Sequence, residues 1–153
     1  MSESPNQARE SEPRPSSTSG LLQRLEDQSQ LDFEIGFFDR LLAARPEYVE
    51  VLKVHGQNLA TKGEHTRGLD VDVRLAQLRP HDPIVHYNLA CSYAQLRMTD
   101  AAIESLDSSL RLGYRDFEHI LGDPDLEHLR QDTRFLSLLV RYWMDSKKSD
   151  KSC

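Results

Sequence analysis

Six histidines (His55, His65, His81, His86, His119 and His128) and two cysteines (Cys91 and Cys153) are the side chains best suited to ligating a metal or opening a nucleophilic reaction. A protease-type zinc site sets two histidines four apart on one helix face, and a cysteine site pairs its thiols two residues apart. No histidine pair here falls at i, i+4 on one helix, and neither HExxH nor Cys-x-x-Cys occurs. His81 and His86 stand five apart across a predicted helix start and diverge. Cys91 and His86 are also five apart, a spacing that does not bring side chains face to face on a helix. Asp70 and Asp72 diverge in the same way. Asp123, Asp125 and Glu127 imitate the start of a calcium loop, but the loop glycine is absent and Pro124 opens a helix. The seven glycines are isolated, so no phosphate cradle forms. The expectation is a protein that is not an enzyme, with no metal site and no cofactor. His55 is read as a partly buried core residue and Cys91 as a small apolar filler.

The elements that must position these residues come from a chain of 153 residues, one domain's worth. Nineteen basic against twenty-five acidic side chains give a net charge of -6, which argues against nucleic-acid binding. No apolar run reaches a membrane span and no signal-peptide layout is present, so no membrane insertion is expected and the predicted location is cytoplasmic. Residues 1–20 hold six Ser, three Pro and no Val, Ile, Leu, Phe, Tyr or Trp, which predicts a disordered tail. Residues 147–153 are expected to fray.

Between the tails, over 21–146, the pattern is helical, and the fold class is all-α. Apolar residues recur three and four apart: Leu31, Ile35, Phe38, Leu42; then Val51, Leu52, His55, Leu59. Asp82-Pro83 and Asp123-Pro124 each read as a cap followed by proline at the first helical position. Thr66 and Thr99 are further candidate caps, and Gly63, Gly113 and Gly122 sit where left-handed helix ends want glycine.

A period of 34 residues organises these helices. Pro46, Pro80 and Tyr114 stand one step apart. The same step aligns Leu25 with Leu59 and Tyr93, Ile35 with Leu69 and Ile103, and Gly56 with Ala90. Phe38 and Leu106 face Asp72 in a column that breaks the pattern. Burying a lone carboxylate is costly, so that helix is expected to turn and present Val71 or Val73 instead. Arg97 stands where Gly63 stands one step earlier, and a left-handed residue there weakens the turn.

On these residues the chain resembles a tetratricopeptide repeat protein. The second unit (48–81) carries Leu52, Gly56, Leu59, Gly63, Gly68 and Pro80 at the family's motif positions. The third (82–115) carries Asn88-Leu89-Ala90, Tyr93, Asp100-Ala101-Ala102 and Leu106. The first (about 21–47) is degenerate in its A helix and recognisable in its B helix by Phe38 and Pro46. The resemblance implies a short α-solenoid of antiparallel helix pairs whose A helices line a concave groove for a peptide segment of another protein. The groove positions carried over are Lys53, Gln57, Thr61, Tyr87, Asn88, Cys91 and Gln95, flanked by Glu50, Ala60, Ile84 and Ala94. The degenerate unit contributes Gln23, Glu26 and Asp27. Lys53 and Asn88 also match the clamp by which one class of the family holds a chaperone tail's carboxylate, but Glu118 and Gly122 replace its remaining basic residues. The groove reads as near neutral, which points to an amphipathic or mostly apolar segment.

After Gly113 the spacing fails. Residues 116–146 resemble the closing segment of bacterial members of the family: two short helices, then a longer one from about Asp132 to Asp145. In the last, Phe135, Leu138, Leu139, Tyr142 and Trp143 form one apolar face. A solenoid must cover its final apolar surface, so the face is expected to cap the last repeat. The rival reading is a self-associating module or a small subunit of a larger complex, with a homodimer formed through Phe135, Tyr142 and Trp143.

Overall fold

A computed structural model describes residues 17–150, and all regular structure among them is helical. The elements are α1 (Ser17–Ala44), α2 (Val49–Lys62), α3 (His65–Leu78), α4 (Pro83–Gln95), α5 (Thr99–Arg111), α6 (Phe117–Gly122), a 3₁₀ helix (Pro124–Gln131) and α7 (Thr133–Asp150). Connections are short, and each helix from α1 to α5 packs against the next. Among the described residues no helix is long and apolar enough to cross a membrane.

The 34-residue step is visible in the backbone. The first hydrogen bond of α2 runs from Leu52 N–H to the Tyr48 carbonyl, and its counterparts are His86 to Asp82 in α4 and Ile120 to Asp116 in α6. The second helix of each pair opens with Gly68 to Glu64, Ala102 to Met98 and Leu136 to Asp132. The segment after Gly113 therefore keeps the repeat's helix starts, although its side chains lose the pattern. Its first helix is cut after one turn and a half because Asp123 caps a new start and Pro124 offers no N–H to continue the old one. Chain reversal uses the same device at both full turns. Glu64 N–H reaches the Leu59 carbonyl across Gly63 (φ 81°), and Met98 N–H reaches Tyr93 across Arg97 (φ 60°). Arg97 thus takes the left-handed conformation at the cost foreseen for a residue with a Cβ.

Two apolar cores result. The smaller joins Leu42, Val51, Leu52, Leu75 and Val85, with Phe38 and Val71 packed on it. The larger joins Ala90, Ala94, Ala102, Leu106 and Leu110 to Ile120, Leu126, Leu129, Phe135, Leu138 and Leu139. His55 is buried against α1, with Nε2 3.0 Å from Asp39 Oδ1 and its ring edge-on to Phe38. Burial pulls its pKa down against the opposing pull of Asp39.

Several local expectations need correction. The first unit forms no helix pair: α1 runs unbroken for 28 residues, since its turn position holds Ser29 rather than glycine and no proline interrupts it. Ser17–Gly20, assigned to the tail, are the first turn of α1, while residues 1–16 lie outside the described residues. Residues 147–150, assigned to a frayed end, continue α7, and 151–153 lie outside the described residues. Thr66 and Thr99 fall inside their helices, whose caps are Glu64 and Met98. Gly122 ends α6 without a positive φ. In α7, Phe135, Leu138 and Leu139 are buried as a cap. Tyr142 is half-buried, donates to Asp107 Oδ1 at 3.0 Å and lies beneath Arg115 and Arg141. Of the three residues assigned to a homodimer face, Trp143 alone is largely exposed, because the other two are spent on the molecule's own core.

Candidate functional site

Helices α2 and α4 start one repeat step apart, so equivalent side chains on the two face the same side of the molecule. After α5, the 3₁₀ helix lies alongside α4, and α6 packs on that 3₁₀ helix. Between them lies a concavity of about 210 Å³. Its walls are Lys53, Gly56, Gln57 and Ala60 of α2, Asp72 and Leu75 of α3, and Tyr87, Asn88, Cys91, Ser92 and Gln95 of α4, with His119, Asp123 and Asp125 beyond. Six of the seven groove residues named from the sequence meet there. Thr61 does not: its hydroxyl donates back to the Gln57 carbonyl at 2.9 Å, and it faces a separate depression shared with Asp27 and Glu34 of α1. A wider depression of about 670 Å³ lies elsewhere, between Arg45–Tyr48 and the end of α3, and contains none of these groups.

The site has a committed wall and an open side. Tyr87 is buried, its hydroxyl donating to Asp123 Oδ2 at 2.6 Å and its ring stacked on Tyr114 at 4.7 Å between centroids. Burial, then the Asp123 carboxylate, hold its hydroxyl protonated far above the usual tyrosine range. Tyr87 therefore shapes the site and does not present a free ring to a ligand. Asp123 Oδ1 accepts the Asp125 N–H at 2.9 Å, the cap that starts the 3₁₀ helix, and Arg130 donates to the Asp123 carbonyl. Cys91 Sγ lies 3.7 Å from Asp123 Oδ2, and burial followed by Asp123 and Asp125 drives its pKa up strongly. The thiol stays protonated, so it is a weak nucleophile. The ligand atoms of Cys91, Asp123 and Asp125 lie within 4.8 Å of one another and are the group that could approach a cation. As folded, both Asp123 oxygens accept hydrogen bonds and the thiol keeps its proton, so the trio works as a hydrogen-bonded wall. The open side is polar: Lys53 stands 3.7 Å from the exposed Glu50 carboxylate, and Gln57, Asn88 and Gln95 offer amides.

Asp72 closes the floor. It was expected to turn outward; instead it is buried, and Ser92 of α4 donates a hydrogen bond to its carboxylate. Gly56 makes the room. A Cβ there would sit 3.3 Å from Asp72 Oδ1, slightly tighter than ordinary contact, and 3.4 Å from Val71 Cγ1. Burial pushes the Asp72 pKa up to about 6 despite the Ser92 bond. Asp72, Ser92, His119, Asp123 and Asp125 were not singled out from the sequence as site residues. Asp123 and Asp125 were weighed as a calcium-loop start and set aside, and Asp123-Pro124 was read as helix punctuation.

No family model matches the chain. Over 59 residues it is 41% identical to a chloroplastic protein of Arabidopsis thaliana. That stretch is 39% of this chain and 18% of the relative, so the chain matches less than a fifth of the curated relative's length.

Proposed function

We propose that the chain is a tetratricopeptide-repeat-type α-solenoid that works as a non-enzymatic adaptor, holding a short segment of another protein between α2 and α4. The observation that carries this reading is the convergence of Lys53, Gln57, Asn88, Cys91 and Gln95, from two helices 34 residues apart, on one concavity. Its polar rim suits a peptide main chain, since the Asn88 amide both donates and accepts. The near-neutral groove read from the sequence gains Asp123 and Asp125 from the closing segment. The favoured segment therefore carries a lysine or arginine rather than being mostly apolar. A small groove that must order a peptide gives affinities around micromolar. The proposal keeps a cytoplasmic site of action, and imaging of the tagged full chain checks it, because the Arabidopsis relative is chloroplastic.

Panning a displayed peptide library, followed by calorimetry, tests the reading. Peptides selected by the parent should lose about tenfold or more in affinity to an Asn88→Ala/Gln57→Ala variant that melts like the parent. Equal affinity for both proteins would move binding away from this groove.

A further inference from the structure

The repeat step predicts that the first helix pair should turn at Ser29, yet α1 continues through it. Every residue from 18 to 30 is exposed. Leu21, Leu22 and Leu25 in this arm are 57–59% exposed, and Phe33 and Phe37 further along are 62% and 46% exposed, on the side of α1 away from Ile35, Phe38 and Leu42. An isolated helical arm of about 12–15 residues is marginal in water, and this one begins Ser-Thr-Ser-Gly. Only its last turn comes near α2, where Asp27, Gln28 and Gln30 line a depression with Thr61 and Lys62, and Leu21, Leu22 and Leu25 stay bare. Residues 1–16 contain no Val, Ile, Leu, Phe, Tyr or Trp with which to cover it.

The spacing of the bare face matches itself when reversed. Leu22, Leu25, Ser29, Phe33 and Gly36 follow steps of three, four, four and three. They form one stripe centred on a small residue, flanked by Leu21 and Phe37. We infer that α1 is a homodimerisation helix, its occupant a second copy of α1 running antiparallel with the two-fold axis at Ser29. Leu25 of each copy then meets Phe33 of the other, Leu22 meets the space over Gly36, and the two Ser29 residues let the backbones approach. Such an isologous contact is the commonest way a soluble chain pairs with itself, and a shallow crossing suits stripes of this spacing. Five side chains about half bare supply roughly 500 Å² a copy and about 1,000 Å² for the pair, the threshold for a specific interface. The exposed stripe on α7 (Leu136, Val140, Trp143 and Met144) makes no comparable demand, because the opposite face of α7 is already packed.

Sedimentation velocity of the full chain from about 1 to 100 µM should show a monomer–dimer equilibrium in the micromolar range. Leu25→Glu and Phe33→Glu, each removing an apolar side chain twice per dimer, should leave monomers with unchanged core stability, and Trp143→Glu should leave the dimer intact. A parent that stays monomeric at 100 µM, a dimer that survives both α1 substitutions, or one lost only with Trp143→Glu would overturn the inference. Ser29→Cys in a Cys153→Ser background should oxidise to a covalent dimer, where Arg24→Cys, on the far side of α1, should not. Equal cross-linking by both would equally count against the antiparallel register.

Discussion

At the C-terminal end of the helical stack, Phe135, Leu138 and Leu139 of α7 close a core that also takes in α4, α5, α6 and the 3₁₀ helix. At the N-terminal end, α1 packs Phe38, Leu41 and Leu42 into the smaller core, pairs Asp32 and Glu34 with Lys62 and Asn58 of α2, and leaves Leu22, Leu25 and Phe33 in water. Among the described residues, both ends follow one 34-residue plan and each presents a terminal apolar surface. The C-terminal end keeps a shortened helix pair and covers itself. The N-terminal end has lost the turn that would have made a pair, and its uncovered surface lies on a projecting helix. Neither Ser29 nor Gln131, one step beyond Arg97, takes left-handed backbone. The C-terminal end is broken instead by the Asp123 cap with Pro124 and by the Asp132 carboxylate accepting from Arg134 N–H, and α1 has no such Asp-Pro break near Ser29.

Truncation is the sharpest test of this contrast. Phe135→Ala should cost about 3–5 kcal/mol, as expected for a fully buried aromatic side chain, because Phe135 has no exposed surface. Leu25→Ala, measured in dilute protein where pairing is absent, should change stability by no more than about 0.5 kcal/mol. Urea melts of both variants check this, and comparable losses would erase the distinction between the ends.

The floor of the concavity gives the next largest effect. Asp72 has a folded pKa of about 6 against an ordinary value of 3.8. The folded state therefore keeps the proton that the unfolded state has released between those values. Its contribution to stability is full below about pH 4 and falls as pH rises through 6, a loss of roughly 2–3 kcal/mol. Asp72→Asn should be the more stable protein at pH 7 by about that amount, with the advantage shrinking toward pH 4. A difference between the two proteins that does not vary with pH would show that the carboxylate is not desolvated.

The turns give the smallest effect. Arg97→Gly should stabilise the α4–α5 connection by up to about 1 kcal/mol, and Gly63→Ala should weaken the α2–α3 connection by a similar amount. Thermal melts should show shifts of opposite sign, and shifts of the same sign would mean that the two reversals are not equivalent.

Helices α2 to α5 were legible because their starts and stops are written in local chemistry, in Gly63, in the Asp82 side chain capping Ile84 and Val85, and in the step that repeats them. Six residues that line the concavity could be named for the same reason: a repeat carries position as well as pattern. The rest depended on contacts that no spacing encodes. Asp123 meets Tyr87 across 36 residues, and Asp72 meets Ser92 across 20. Reading Asp72 as outward applied the cost of a lone carboxylate to one that is not alone: Ser92 donates to it and Gly56 leaves it space. In α1 the missing turn was an absence at Ser29, while the apolar pattern continued on both sides and gave no hint that the chain would stay straight.

Because α6 and α7 begin where another helix pair would begin, the molecule has a built-in ruler. A copy of residues 82–115 inserted after residue 115 would present its own tyrosine and cysteine to Asp123 and its own Asp100 and Asp107 equivalents to Arg134 and Arg141, the partners those residues hold now. Length is thus a quantity this architecture can change in whole units without redesigning its far end. The near end has no such freedom, since anything placed ahead of α2 must first replace a straight helix with a bent one.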